Sequence, residues 1–159
     1  EDAPDIVVVG FDTTLHYDRL AKACDFIRYG ADFYAVNPDL NCPVKSGFIP
    51  DCGSICALIT ASTGAVPVYF GKPTGHALEY IVKSTGAKER EIAFVGDRLY
   101  TDIALGSGTD LVTILVLTGE AKEEDLLHSD IRPKLIFQSL KEIGEMLAEA
   151  DFGSTFDSL

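Results

Sequence analysis

Two aspartates stand where a chain could build a metal site. Asp97 follows the apolar run 92–96 directly, and Asp102 comes five residues later. Two carboxylates that arrive beyond the carboxyl end of a buried strand can hold a hard cation such as Mg²⁺, which prefers oxygen ligands. Asp102 alone would also suit the first turn of a helix, where an acidic side chain is favoured. A Gly-Asp pair at a strand end, followed by a second aspartate, favours the metal site.

Lys72 offers the complementary charge. It follows the apolar stretch 66–71 and precedes Pro73, a residue that favours the first turn of a helix. A lysine there presents a point charge to a phosphoryl group, assisted by the positive end of the helix. Most lysines in such loops are simply solvated, but Asp97 follows twenty-five residues later, at the end of the neighbouring predicted strand. A lysine plus metal carboxylates is the polar half of a phosphoryl-transfer site.

Alternating strand-like and helix-like segments must position these groups. Short β-branched apolar runs predict strands, and apolar residues spaced three or four apart predict helices. This alternation predicts an α/β fold with a parallel sheet, and the polar segment 38–51 is predicted to be a loop. The predicted strands are 5–10, 32–37, 66–71, 92–97, 112–117 and 134–138, and the predicted helices are 17–30, 52–64, 75–86, 101–108, 122–130 and 139–150.

Composition limits the classes of partner. The 159 residues carry a formal net charge of −12, with 47% apolar and 24% charged residues, as in soluble globular proteins. The acidic balance argues against a nucleic-acid partner, because phosphate backbones are bound by Lys and Arg patches. No apolar run reaches the roughly 18 residues of a membrane span, and the acidic start "EDAPD" argues against a signal peptide. We therefore expect no membrane partner and a cytoplasmic location, with the four cysteines as reduced, mostly buried thiols.

Several stretches resemble one family. "GKP" (71–73), "VGDRLYTDIALG" (95–106) and "TILVLTG" (113–119) are similar to motifs III and IV of the haloacid dehalogenase (HAD) superfamily. The closer resemblance is to its NagD-like and nitrophenylphosphatase-like phosphatases, which carry a cap of type C2. Residues 5–39 resemble the inserted cap of that group, and the resemblance extends over 5–147.

The resemblance implies a role for each matching residue. Lys72 would neutralise the aspartyl-phosphate and the transferring phosphoryl group, and would thereby also bind substrate. Asp97 would ligate Mg²⁺, and Asp102 would orient the lysine or a metal-bound water as part of the same metal site. Three further residues match the cap segment that faces the substrate: Asn37, Pro38 and Asp39.

The resemblance also implies a domain organisation. The chain would be the C-terminal part of such a phosphatase and would start inside the cap. Residues 1–65 would form a cap-like α/β segment, residues 66–150 part of a Rossmann-like parallel-sheet core, and residues 151–159 a disordered tail. The nucleophile pattern DxDG[ST] precedes the cap in this family and does not occur in this chain.

This organisation predicts the activity and the partners. The intact protein would be a Mg²⁺-dependent phosphomonoester hydrolase for sugar or nucleotide phosphates that acts through an aspartyl-phosphate. The chain alone would be inactive. Its partners would be a small phosphorylated substrate and either further copies of itself or the missing N-terminal part.

Two alternatives stay open. In the first, the chain is a compact capless enzyme whose nucleophile is Asp12, in "VVVGFDTTL" (7–15). Thr14 then occupies the acid/base position, where a hydroxyl cannot cycle a proton near neutral pH, and Leu15 replaces the glycine of the tight turn. Asn37 replaces the usual hydroxyl of motif II, so three departures coincide. In the second, the chain is an inactive phosphate- or partner-binding fragment with exposed sheet edges.

Overall fold

The computed structural model describes residues 4–156, with side chains described for residues 4–150. The chain divides into two compact units, of which the first ends at His76 and the second begins at Ala77. Each unit has its own parallel sheet, so the predicted α/β class with parallel strands is confirmed. The predicted boundary between a cap-like and a core-like part, at residues 65 and 66, stays a prediction.

The first unit packs two helices on one face of a parallel sheet. Its elements in chain order are β1 (Ile6–Val9), α1 (Tyr17–Arg28), β2 (Asp32–Ala35), β3 (Asn41–Val44), β4 (Gly47–Pro50), α2 (Cys52–Thr63) and β5 (Val68–Tyr69). The sheet has the order β1-β2-β5, with all pairs parallel. Its buried core consists of Val9, Cys24, Ile27, Phe33, Ala35, Cys52, Cys56 and Ile59.

Local signals set the ends of α2. Asp51 precedes the helix in an extended conformation, and its Oδ1 accepts the N–H of Cys52 at 2.6 Å. Such an N-cap satisfies one of the backbone donors that the first turn leaves without a partner. Gly64 ends the helix with φ of 78°, in the left-handed region that costs a glycine little. The predicted helix 52–64 is thus confirmed to within a residue.

The predicted loop 38–51 is wrong over part of its length. Strands β3 and β4 form an antiparallel hairpin there, with Asn41 opposite Pro50 and Val44 opposite Gly47. The sequence hid this hairpin because each strand contains a proline, which normally counts against a strand. Its Lys45–Ser46 turn also lacks the Asn-Gly or Asp-Gly pair that marks hairpins.

The second unit surrounds one buried central strand. Helix α3 (Gly75–Thr85) begins with the last two residues of the first unit and continues into the second. The further elements of the second unit in chain order are β6 (Ala93–Gly96), β7 (Val112–Val116), α4 (Asp125–His128), β8 (Leu135–Phe137) and α5 (Leu140–Phe156). The sheet order is β6-β7-β8, again all parallel. Residues 113–116 of β7 are buried, because one cluster around Leu115 and another around Leu111 form cores in this unit. Such burial is typical of a parallel strand that is covered on both faces.

Three predicted helices in the second unit differ from the structure. The predicted helix 101–108 is instead a π-helical turn, Leu99–Ile103, followed by a 3₁₀ turn, Ala104–Gly106. The charged helix predicted at 122–130 shortens to α4, because its flanking residues form turns. Helix α5 continues to Phe156, so residues 151–156 are helical rather than a disordered tail, although they include glycine, serine and threonine, which have low helix propensity. The last residues, 157–159, lie outside the described part.

No helix in residues 4–156 has the length and apolar character that a bilayer crossing requires.

Candidate active site

The carboxyl end of β6 brings Asp97 and Asp102 together. Oδ2 of Asp102 accepts the backbone N–H of Asp97 at 3.2 Å and that of Arg98 at 3.1 Å. Asp102 is 4% exposed, so these bonds form in a nearly dry environment. Hydrogen bonds from N–H groups to a carboxylate are stronger than neutral ones, and they fix the main chain on which Asp97 stands. Asp102 therefore holds the loop that presents Asp97.

A π-helical turn returns Asp102 to that loop. The N–H groups of Asp102 and Ile103 both donate to the carbonyl oxygen of Arg98, at 3.0 and 3.1 Å. The second of these bonds spans five residues, which widens the turn and defines it as π-helical. Single π-turns recur at functional sites, where they redirect a side chain. Here the redirected side chain is the Asp102 carboxylate.

Only glycine fits at position 96. A Cβ built on Gly96 would overlap Cβ, Cγ and Oδ2 of Asp102. The missing side chain is therefore what allows the Asp102 carboxylate to lie against the end of β6. The Gly-Asp pair that the sequence singled out has a steric reason as well as a chemical one.

Asp97 is also tied to the loop after β7. Its Oδ2 accepts the N–H of Glu120 at 2.8 Å, and its carbonyl oxygen accepts the N–H of Ala121 at 2.9 Å. A Cβ on Gly119 would overlap the Asp97 carboxylate, so glycine permits this approach too. Since β6 and β7 are parallel neighbours, with Gly96 opposite Leu115, their carboxyl ends meet at one edge of the sheet. The loops after β6 and β7 are therefore joined by hydrogen bonds on either side of the Asp97 side chain.

The side chain of Glu120 adds two further contacts between these loops. Its Oε2 lies 2.8 Å from Nε of Arg98, and its Oε1 accepts the hydroxyl of Tyr100 at 2.8 Å. Glu120 thus contacts the residues on either side of Leu99 with its two carboxylate oxygens. Neither Gly119 nor Glu120 was predicted as a site residue. For Gly119 a signal was available, because "TILVLTG" (113–119) ends just after a strand beside β6, and the strand-end argument used for Asp97 applies there as well.

The donor set suits a hard cation at Asp97 better than at Asp102. Among residues 4–150, hydrogen bonds engage Oδ2 of Asp97 and no N–H or O–H donates to its Oδ1. Asp97 is half-buried, whereas Asp102 is buried and one of its carboxylate oxygens already accepts two backbone N–H groups. The described residues contain no cluster of three or more His, Cys, Asp or Glu side chains able to hold a metal ion. Asp97 thus offers one carboxylate oxygen, which is the kind of ligand that Mg²⁺ accepts alongside waters and substrate oxygens.

In the first unit Gly71, the residue before Lys72, lies against Asn37. Strands β2 and β5 are parallel neighbours, so the loops that follow them share one sheet edge. A Cβ on Gly71 would overlap the carbonyl oxygen of Val36 and lie 3.1 Å from Cβ of Asn37. Lys72 follows immediately and is exposed. Within this unit the structure brings the predicted lysine and the predicted substrate loop together.

Residues 37–40 form a loop fixed by its main chain. Oδ1 of Asn37 accepts the N–H of Asp39 at 3.0 Å, which is an Asx turn. The N–H of Gly53 at the start of α2 donates to the carbonyl oxygen of Asp39 at 2.7 Å. A Cβ on Gly53 would overlap the carbonyl group of Pro38, so α2 and the loop are in direct contact. Contacts with α2 therefore anchor the loop, although it belongs to no helix or strand.

Asp12 is engaged in local contacts. Its Oδ1 accepts the backbone N–H of Thr14 at 2.7 Å and the Thr14 hydroxyl at 2.6 Å. Its Oδ2 forms an ion pair with Nη1 of Arg19 at 2.7 Å. The bonds from Thr14, and then Arg19, lower the pKa of this carboxyl below its usual value. Both oxygens of Asp12 therefore stabilise the turn between β1 and α1.

We expect Gly96→Ala to destabilise the chain by about 3 kcal/mol, as overpacking of a well-filled site does. The added Cβ must either strain the end of β6 or displace Asp102, which would leave two N–H groups without their acceptor. Urea unfolding measures the change. The control is Gly144→Ala in α5, where nothing lies within 4 Å of the new Cβ and alanine should stabilise the helix by roughly 0.5–1 kcal/mol. Equal stability of the two variants would show that Asp102 does not pack on Gly96.

Comparison with known proteins identifies close relatives. The HAD-hydrolase-like family matches residues 69–143. The chain is 39% identical over 140 residues to the ribonucleotide monophosphatase NagD of Escherichia coli, covering 88% of this chain and 55% of that protein. It is 34% identical over 142 residues to a dihydroxyacetone phosphatase of Corynebacterium glutamicum, covering 89% and 52%. The chain thus spans about half the length of the curated relatives it matches.

A crystal structure shows the same fold. The 4-nitrophenylphosphatase of Thermotoga maritima superposes on this chain with a TM-score of 0.84 at 48% sequence identity. The superposition covers 89% of this chain and 55% of the other.

Proposed function

Since the chain belongs to the HAD-like hydrolases of the NagD type, we propose that it contributes half of the active site of a phosphomonoester hydrolase. The observation that carries the proposal is the Asp97 carboxylate at the end of β6. One of its oxygens is fixed by the loop after β7, and its other oxygen receives no N–H or O–H from residues 4–150. Family membership supports the reaction class, and this geometry supports Asp97 as a residue that takes part in the reaction.

Mg²⁺ is the proposed cofactor, with Asp97 as its ligand from this chain. When bound, the cation would stabilise negative charge on the phosphoryl oxygens as a Lewis acid. Asp97 would hold it through Oδ1. Asp102 would act behind Asp97, keeping the main chain of 97–98 in place through its two hydrogen bonds rather than as a direct ligand. Lys72 would place its ammonium group against the phosphoryl oxygens, where its charge stabilises the transferring group.

We propose that the nucleophile comes from a segment outside these 159 residues. The reaction would proceed through attack of an aspartate on phosphorus, expulsion of the alcohol and hydrolysis of the aspartyl-phosphate. Asp12 is unsuited to that step, because Thr14 and Arg19 already engage both of its oxygens. We call the protein or complex that contains this chain together with the nucleophile segment the complete phosphatase.

The proposed substrate is a small phosphate ester of the sugar or nucleotide class. The relatives include a ribonucleotide monophosphatase and a dihydroxyacetone phosphatase, whose substrates differ widely in size. Asn37, Pro38 and Asp39 would contact the part of the substrate beyond the phosphate. This loop stands beside Lys72 within the first unit, which supports such a role.

A direct test compares the complete phosphatase with the 159-residue chain alone. Both are assayed against 4-nitrophenyl phosphate, a nucleoside monophosphate and a triose phosphate, with Mg²⁺ and with excess chelator. We expect Mg²⁺-dependent hydrolysis by the complete phosphatase and none by the chain alone. Turnover by the chain alone would contradict the proposal that the nucleophile lies outside these 159 residues. Inactivity of both proteins with every ester would contradict the proposed hydrolase activity.

We expect Asp12→Asn to leave kcat and KM of the complete phosphatase within about twofold of the unchanged protein, because surface substitutions away from a site have small effects. Asparagine keeps an acceptor for Thr14 and loses only the ion pair with Arg19. Steady-state kinetics with one phosphate ester provide the measurement. A loss of activity comparable to that of a missing nucleophile would restore the capless alternative, in which Asp12 attacks phosphorus.

A further inference from the structure

We propose that Glu120 is a positioning residue for the metal-binding carboxylate of Asp97, acting through Arg98 and Tyr100. This inference rests on the proposed function. No sequence signal or comparison assigns a role to Glu120. The case for it comes from a closed ring of contacts within the second unit.

The ring runs from Asp97 to Glu120 and back. The main chain of Glu120 donates its N–H to Oδ2 of Asp97 at 2.8 Å. The side chain of Glu120 returns to Arg98, the residue after Asp97, with Oε2 at 2.8 Å from Nε. The first contact sets the rotation of the Asp97 carboxylate, and the second holds the donor loop at the distance this requires. Both contacts join the same two short segments, so each restricts the position of the other.

Tyr100 fixes the second oxygen of Glu120. Its hydroxyl donates to Oε1 at 2.8 Å, so the carboxylate of Glu120 is held at both oxygens. A carboxylate held twice has little rotational freedom, and the main chain that carries it is constrained in turn. The consequence is that Oδ1 of Asp97 points in one defined direction before any cation arrives.

The exposure of the pair favours positioning over stability. The Arg98 and Glu120 side chains are 24% and 38% exposed. Ion pairs with that much solvent contact contribute at most about 1 kcal/mol to stability. Partners that orient a metal ligand, in contrast, commonly change metal affinity or activity by roughly 10- to 100-fold when they are removed. The proposal therefore predicts a large effect on cation binding with little effect on folding.

The test measures Mn²⁺ binding by electron paramagnetic resonance in the complete phosphatase, together with Mg²⁺ activation of ester hydrolysis. We expect Glu120→Ala to weaken Mn²⁺ binding and raise the Mg²⁺ concentration for half-activation by about 10- to 100-fold. The KM for the ester at saturating Mg²⁺ should change less than twofold. Glu120→Gln keeps hydrogen-bonding groups at both positions and should recover most of the affinity, whereas a role that depends only on the negative charge of Glu120 would predict no recovery.

Two further variants distinguish a positioning role of Glu120 from a general loss of protein stability. Glu123→Ala removes an exposed charge from the same loop and should leave Mn²⁺ affinity unchanged. The double change of Arg98→Ala with Glu120→Ala should weaken binding no more than the single Glu120→Ala, because both single changes break the same contact. Thermal unfolding of each variant should remain close to that of the unchanged protein.

The outcomes distinguish the two proposals. If the unchanged protein binds no Mn²⁺ and hydrolyses no ester, the proposed function fails and the role of Glu120 fails with it. If it does both, and Glu120→Ala binds Mn²⁺ as tightly as Glu123→Ala, only the positioning role is overturned. A weakening by Glu120→Ala that Glu120→Gln fails to relieve, accompanied by a large loss of thermal stability, would also overturn it.

Discussion

Replacing Asp97 with asparagine is expected to abolish Mg²⁺-dependent turnover while leaving the fold intact. Coordination of a phosphoryl oxygen by a metal ion contributes several kcal/mol to transition-state stabilisation. Because about 1.4 kcal/mol corresponds to tenfold in rate, we expect kcat/KM of the complete phosphatase to fall about a thousandfold. The new amide oxygen can still accept the N–H of Glu120, so the link between the loops after β6 and β7 persists.

The matched control is Asp130→Asn. Asp130 is an exposed carboxylate of the same unit, and its replacement changes the net charge by the same amount. This variant should retain full activity and the same Mg²⁺ requirement. If Asp97→Asn were as active as Asp130→Asn at every Mg²⁺ concentration, then Asp97 would not be the metal ligand, and the proposed mechanism would lose its central residue.

Replacing Lys72 with alanine is expected to reduce kcat by about 10²–10³-fold, the usual loss when one group that stabilises developing charge is removed. Lys72 lies after β5, beside the loop that begins at Asn37, and its side chain is exposed. Because its proposed partner is the phosphoryl group itself, every phosphate ester should be affected to a similar extent. Steady-state kinetics with two esters of different size provide the measurement.

Lys45→Ala serves as the control for that experiment. Lys45 is an exposed lysine in the hairpin turn of the same unit, and its loss should leave turnover unchanged. Lys72→Arg should recover only part of the activity, since a planar guanidinium cannot replace a compact ammonium group at a fixed distance. An effect confined to one ester would instead assign Lys72 to substrate selection.

The sequence predicted those features that depend on local patterns. The strands β6 and β7 are continuous apolar runs, so both strands could be identified from the sequence. Asp97 could be identified because it follows the end of one of them. The hairpin of β3 and β4 could not, because its pairing depends on contacts between residues that carry unfavourable local signals. The π-turn was missed for a related reason. A bond that spans five residues leaves no periodic trace in so short a segment.

The physical difference between Asp97 and Asp102 also required the structure. The family resemblance implied different roles for them within one metal site, but the sequence offers no physical reason for the difference between two carboxylates five residues apart. Their difference comes from burial and from the two amides that point at Asp102, and both depend on the absence of a side chain at Gly96. Glu120 escaped prediction because its contacts with Arg98 and Tyr100 join segments that are about twenty residues apart.

The loop 37–40 has a consequence for how such a protein could change over evolutionary time. Backbone atoms at the start of α2 hold much of this loop, through the N–H of Gly53 and the close approach to Pro38. Side-chain exchanges at Asp39 or Leu40 would therefore leave those anchoring contacts unchanged. Given the proposed contact of this loop with the substrate, single substitutions on it would alter substrate preference without disturbing its attachment to α2, whereas a mutation of Gly53 would displace the whole loop.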